Sequence, residues 1–168
     1  APNATAVAVL GDFNNWSMWS TMLSNEGNGN WSRDIAEANP GDEYKYVIIN
    51  AGTQYSRIDA RSYQVTESTG NSVVYDPTSY FWQTTDFVQP AWNETVIYEL
   101  HLGTFAGGLP QAITKLDYLT ELGVNAIELM PIWEFAGGSS WGYNAAYPFA
   151  IESTYGTPDD LKAFVDEA

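Results

Sequence analysis

The chain carries 21 acidic against 6 basic side chains among its 168 residues, a formal net charge of −15, and 45% of its residues are hydrophobic. That length and apolar content allow a real core in one large or two small domains, while the charge repels phosphate backbones and anionic lipid and so argues against nucleic acid and membrane surfaces as partners. No cysteine is present, which excludes disulfide frameworks and thiolate metal ligation and leaves the redox compartment open; with no leader-like segment after Ala1 and no apolar run near the roughly 20 residues that span a bilayer, a soluble protein is expected, cytoplasmic with secretion as the alternative.

From Thr5 to about Tyr80 the pattern is one of short alternating runs. Val7 and Val9 form the first, Trp31, Arg33 and Ile35 the second, Tyr44, Tyr46 and Ile48 the third, and residues 72–75 the last. Residues 25–30 (NEGNGN) and 39–42 (NPGD) separate them, and their Gly, Asn and Pro supply the positive or fixed φ values that tight turns need. Regular short strands at this spacing predict a β-sandwich.

The turn at residues 11–16 (GDFNNW), followed by Tyr44-Lys45-Tyr46 and by residues 71–74 (NSVV), resembles the family 48 carbohydrate-binding module. The resemblance implies an immunoglobulin-like sandwich of the kind that precedes many α-glucan enzymes and also occurs in starch- and glycogen-sensing proteins. It implies glucan contacts at Trp16 and Lys45, a polar contact at Asn71 and a second aromatic on the next hairpin, for which Tyr55 is the nearest candidate. An aromatic face suits glucose because the ring C–H groups pack on it while the hydroxyls stay free to hydrogen-bond. The alternative is that Trp16, Trp19 and Trp31 are core or domain-contact residues, since residues of that size are usually well buried.

Residues 76–93 carry Pro77 and Pro90 without sustained periodicity and read as a connector. Phe81, Trp82, Phe87 and Trp92 make it too aromatic for a loose tether, and they are expected to pin it against the domains. Residues 96–102 (VIYELHL) then read as a buried strand. A helix opens at Pro110, presents Ala112, Ile113, Leu116, Leu119 and Leu122 on one face and stops at Gly123. Residues 125–131 form a second strand, a long loop runs to Gly156, and Thr157, Pro158, Asp159 and Asp160 start another helix with a cap, a proline at its first position and two acids on the positive end of its dipole. Strand, helix, strand, loop, helix is a βαβα unit and demands a parallel sheet.

Read together, VIYELHLGTF, LTELGVNAIELMPI, SSWGYNAAYPFAI and YGTPDDLKAFVDEA resemble glycoside hydrolase family 13, the α-amylase superfamily, closest to glucan-branching and trehalohydrolase-like members. The resemblance implies that residues 96–168 are the first two βα units of a TIM (β/α)8 barrel, preceded by a sandwich at 1–85 and a connector at 86–95. Such barrels need about 250 residues and carry their chemistry on the loops at the C-terminal ends of the strands, so an incomplete α/β domain is expected.

The family's retaining mechanism uses two carboxyl groups roughly 5 Å apart, which the resemblance assigns to later barrel strands; no catalytic acid is expected in this chain, and alone it should be inactive. Glu99 and Glu128 lie inside strands rather than at their ends, and Glu134, although in the loop, matches no family acid. Tyr143 matches the tyrosine that stacks on the sugar whose anomeric bond is broken, and Trp141 and Asn144 are candidates for the same pocket. The alternative for Tyr143 is loop packing. His101, the only histidine, has no second ligand at metal spacing. Gly107-Gly108 and Gly137-Gly138 lack the lysine of a phosphate loop, so no metal and no cofactor are expected.

The function implied is that of the N-terminal part of an enzyme that cleaves or transfers α-1,4-glucan chains, with hydrolysis and branching both open. The rival is a non-catalytic glucan-binding or sensing module. The expected partners are an α-glucan and either the rest of the barrel or another copy of the chain, to cover strand edges and apolar helix faces.

Overall fold

The tyrosine-rich run becomes the central strand of the first sheet. In the computed structural model, which describes residues 1–168, β1 (Ala6–Gly11), β2 (Ser24–Gly27), β3 (Asn30–Ser32), β4 (Glu43–Asn50), β5 (Thr53–Arg57) and β6 (Ser72–Val73) lie in the first of two compact units, Ala1–Asp76. Strand β4 pairs antiparallel with β1 and with β5, and near its start with β6. The register sets Val9 opposite Tyr46 and Ile48 opposite Tyr55.

With a side-chain period of two, Val7, Val9, Tyr44, Tyr46, Ile48 and Tyr55 share one face of this sheet, and Ala8, Lys45 and Val47 the other. The hairpin of β2 and β3 forms a separate two-stranded sheet, and Trp31, Ile35, Phe13 and Val74 line a depression together with Tyr44 and Tyr46. Residues 25–27, expected in a turn, belong to β2, while Arg33 and Ile35 fall outside a strand. The turn itself tightens to Asn28 and Gly29, both at positive φ.

The second unit, Pro77–Ala168, is built on β7 (Ile97–Leu100) and β8 (Ala126–Leu129), which pair in parallel with Tyr98 beside Ile127 and Glu99 beside Glu128. Between them run α1 (Leu102–Phe105), α2 (Leu109–Ile113) and α3 (Leu116–Glu121). The single helix expected from Pro110 to Leu122 is therefore broken. The Thr114 hydroxyl donates to the Gln111 carbonyl and the Lys115 amide to the Ala112 carbonyl, a three-residue step that ends α2 and restarts the chain as α3. Leu100, Leu102, Leu109, Ala112, Leu119, Phe135, Tyr155 and Phe164 form one buried cluster, against which Tyr98, Ile127 and Leu129 pack.

The long loop expected after the second strand also contains structure. β9 (Trp133–Phe135) and β10 (Ala145–Ile151) pair antiparallel with two register shifts, and α4 (Pro158–Glu167) follows, capped by Thr157, whose hydroxyl accepts from the Asp160 amide at 3.1 Å. Asp166, near the end of α4, accepts from the amides of Gln83 and Thr84, each at 2.7 Å, and from the Tyr80 hydroxyl. The connector is thus tied down by a carboxylate. Phe81, Trp82, Phe87 and Trp92, expected to pin it, are exposed.

Candidate functional site

In the first unit the candidate sugar contacts divide between two faces. Trp16 is exposed at the end of the turn after β1, at φ +58°, and its indole N–H donates to Asp12 Oδ1 at 2.9 Å. The other carboxylate oxygen of Asp12 accepts from the Glu43 amide at 2.8 Å, and this backbone bond, with the Trp16 bond after it, holds the Asp12 carboxyl below its ordinary range. Asn14 secures the same turn by donating to the Val9 carbonyl and the Thr21 hydroxyl.

Asn71 Nδ2 donates to Glu43 Oε2 at 2.6 Å, and Lys45 Nζ reaches the Thr69 carbonyl at 3.5 Å. Glu43 and Lys45 lie two residues apart on β4 and so share a face. Trp16, Asn71 and Lys45 therefore gather around the first residues of β4. Tyr55 does not join them: opposite Ile48 it occupies the other face, where the Arg57 guanidinium sits 5.4 Å from its ring centre.

The second unit presents its candidates on the loop between β9 and β10. Trp141 and Tyr143 are 69% and 70% exposed, an arrangement opposite to loop packing. Between them Gly142 is buried at φ +85°, and a Cβ there would press into the Pro131 carbonyl oxygen and stand 2.8 Å from Pro131 Cβ. Pro131 follows β8 by two residues, so this close approach fixes the aromatic pair beside the C-terminal end of a parallel strand. Ser140 braces the turn: its hydroxyl accepts from the Gly142 amide at 3.1 Å and donates to Asn144 Oδ1 at 2.5 Å. Asn144 acts within the loop in this arrangement.

Three residues that carry the loop were not singled out as its supports from sequence. Tyr155, buried under α1, meets His101 Nε2 at 2.9 Å, and the same nitrogen lies 3.0 Å from the Ser140 carbonyl. Burial, with the Glu152 charge second, pushes the Tyr155 hydroxyl up, so it stays a neutral phenol. Glu152, 1% exposed, accepts from the Phe135 amide and from the Thr154 amide and hydroxyl. Glu134, 2% exposed, accepts from the Ser153 amide at 2.7 Å. These two acids cross-brace the base of the hairpin. An acid beside a short apolar run gives no sequence signal that separates it from a solvated charge, whereas Tyr155 stood in a motif already noted. No cluster of three His, Asp or Glu side chains is placed to hold a metal ion.

A strand-rich module followed by a parallel βα unit, with exposed aromatic rings fixed at a strand end, defines the class: an accessory domain joined to part of an α/β catalytic domain. The family model for the alpha amylase catalytic domain matches residues 57–168, and that for carbohydrate-binding module 48 (isoamylase N-terminal domain) matches residues 1–79. The chain belongs to the α-amylase family, glycoside hydrolase family 13.

Among curated relatives, it is 35% identical to the 1,4-alpha-glucan branching enzyme of Corynebacterium efficiens, over 99% of this chain and 24% of that one. It is 39% identical to the malto-oligosyltrehalose trehalohydrolase of Saccharolobus solfataricus, over 76% of this chain and 23% of that one. The crystal structure of pullulanase type I from Bacillus subtilis, complexed with maltose, superposes with a TM-score of 0.80 at 25% identity, over 99% of this chain and 29% of that one. The chain thus spans about a quarter of the length of the curated relatives it matches. No helix is long and apolar enough to cross a membrane.

Proposed function

We propose that residues 1–168 supply the accessory module and one wall of the active site of a cytoplasmic, retaining α-glucan glycosidase or transglycosidase acting on α-1,4-linked chains such as starch or glycogen. The observation that carries this reading is the exposed pair Trp141 and Tyr143, fixed by the Gly142–Pro131 contact beside the end of β8. Barrel enzymes do their chemistry at that end. The glucan-acting relatives, the family model and the maltose-bound structural relative point to the same substrate class.

In the finer architecture, an immunoglobulin-like sandwich in the first unit and the connector after it lead into the first two βα units of a (β/α)8 barrel at 96–168. Within it, Tyr143 stacks on the sugar ring at the reacting bond, Trp141 extends the apolar wall, and Asn144 holds the loop and offers its amide to a sugar hydroxyl. The two carboxyl groups that break and form the glycosidic bond come from sequence outside this segment, so the segment alone turns nothing over. The exposed face of β7 and β8, bearing Ile97, Glu99 and Glu128, is covered by the remaining barrel or, in its absence, by another copy. On the module, Trp16, Lys45 and Asn71 form a glucan contact.

The test is the full-length gene product on amylose, followed by iodine staining and by reducing-end release in parallel. A fall in iodine colour with new reducing ends identifies hydrolysis, and a fall without them identifies branching. No change in either, with amylose still bound, overturns the catalytic reading in favour of a sensing module.

A further inference from the structure

We propose that His101 is the positioning residue of the Tyr143 loop, and that it acts only as the tautomer protonated at Nε2; this rests on the reading of Tyr143 as a sugar platform. The tautomer follows from the donors. The Thr104 amide, 3.2 Å from His101 Nδ1, can only donate, and the Ser140 carbonyl, 3.0 Å from Nε2, can only accept, which together make Nδ1 the accepting nitrogen. The Thr104 hydroxyl, also 3.2 Å from Nδ1, donates to the His101 carbonyl. The proton of the neutral ring is then on Nε2. There it meets two oxygens, the Ser140 carbonyl at 3.0 Å and the Tyr155 hydroxyl at 2.9 Å.

One ring thereby joins three elements. Nδ1 caps α1 at the end of β7, and Nε2 holds the loop residue whose hydroxyl in turn accepts from the Gly142 amide and bonds Asn144. Tyr155 fixes the ring from the far side, with its own ring edge-on to the imidazole and to Phe135 in the buried cluster. Gly103 permits this closeness, because a Cβ there would stand 3.0 Å from the Tyr155 ring and 3.1 Å from His101 Cε1. The rest of the loop has little packing: residues 136–139 are exposed, as are Trp141, Tyr143 and Asn144. The imidazole bond, the Ser140 brace and the Pro131 contact are what give the aromatic pair a defined position.

Two substitutions separate the functions of the two nitrogens. His101→Asn places an amide oxygen where Nδ1 stands and keeps the cap on Thr104, but it has no donor at the ε position. His101→Gln extends an amide N–H to the ε position and gives up the cap. The experiment is ¹⁵N relaxation of the loop amides, with a proton–nitrogen correlation spectrum of the single imidazole. The wild type should show the Nε2-protonated tautomer and order parameters of about 0.85 for residues 140–144; His101→Gln should keep them, and His101→Asn should drop them below about 0.6.

A wild-type ring protonated at Nδ1 overturns the proposal, whatever the variants do. So does a loop that stays equally ordered in His101→Asn. Maltoheptaose titration of Tyr143→Ala separates the two readings. Unchanged affinity with an ordered loop removes the platform, while the relaxation data still decide the role of His101.

Discussion

Gly142 is the residue on which the loop turns. Two penalties coincide there: a positive φ, which costs a non-glycine residue about 1–2 kcal/mol, and a Cβ position already occupied by Pro131. Gly142→Ala should destabilise the chain by about 2–3 kcal/mol, read as a lower urea midpoint. Gly137, on the same loop at φ +83° with nothing near its Cβ position, should lose only about 1 kcal/mol as alanine; equal losses would remove Pro131 from the explanation. A glycine is compatible with close approach by its type, but which atom approaches is a tertiary fact. The same limit applies to Tyr55. Its type made it the second aromatic of a sugar site, yet register, set by pairing with β4, turns it away from Lys45. In an amylopectin-containing native gel, Trp16→Ala and Lys45→Ala should therefore migrate faster than the wild type, whereas Tyr55→Ala should match it. Loss of retardation in Tyr55→Ala alone would move the site to the opposite face.

Helix α4 shows what local chemistry can dictate. Thr157, Pro158 and the two aspartates specified its start, and the structure has the reciprocal cap in which the Thr157 amide donates to Asp160 Oδ2 at 2.7 Å. Thr157→Ala should cost about 1 kcal/mol in thermal or urea unfolding. At its other end, Asp166 has a carboxyl held below its ordinary value of 3.8, first by the Gln83 amide and then by the Thr84 and Tyr80 groups. A depressed folded value means stabilisation that is complete above 3.8 and lost as pH falls through the lower folded value. Asp166→Asn should therefore lower the urea midpoint at neutral pH, with the gap to wild type closing under acid; a gap independent of pH would show that the charge contributes nothing.

The hairpin of β9 and β10 was not legible in the same way. β9 has three residues, β10 contains Pro148, and the two register shifts erase the alternation that reveals a strand. Its base is set instead by Glu134 and Glu152 accepting amides across the hairpin. The break between α2 and α3 was hidden for a related reason: the apolar spacing continues through it, and the interruption is marked only by the Thr114 hydroxyl bond and the three-residue step from the Lys115 amide to the Ala112 carbonyl.

At the scale of the molecule, the parallel pair β7 and β8 has no further strand on either side. Its exposed residues include Ile97, with Val96 just before it, and the side-by-side carboxylates of Glu99 and Glu128. Open strand edges and apolar surface favour association. The 168-residue chain alone should therefore sediment with a mass that rises with concentration, and a well-folded monomer with low binding of an apolar dye would contradict the covered-face proposal.

The most direct measurement is the kinetics of Tyr143→Ala and Tyr143→Phe on amylose in the full-length gene product, each checked for an unchanged unfolding transition. If Tyr143 is the platform for the reacting sugar, alanine should lower kcat/KM by about tenfold or more, equivalent to about 1.4 kcal/mol, while phenylalanine, which keeps the ring face, should stay close to wild type. An alanine variant with wild-type kcat/KM would contradict the assignment of this loop to the sugar site.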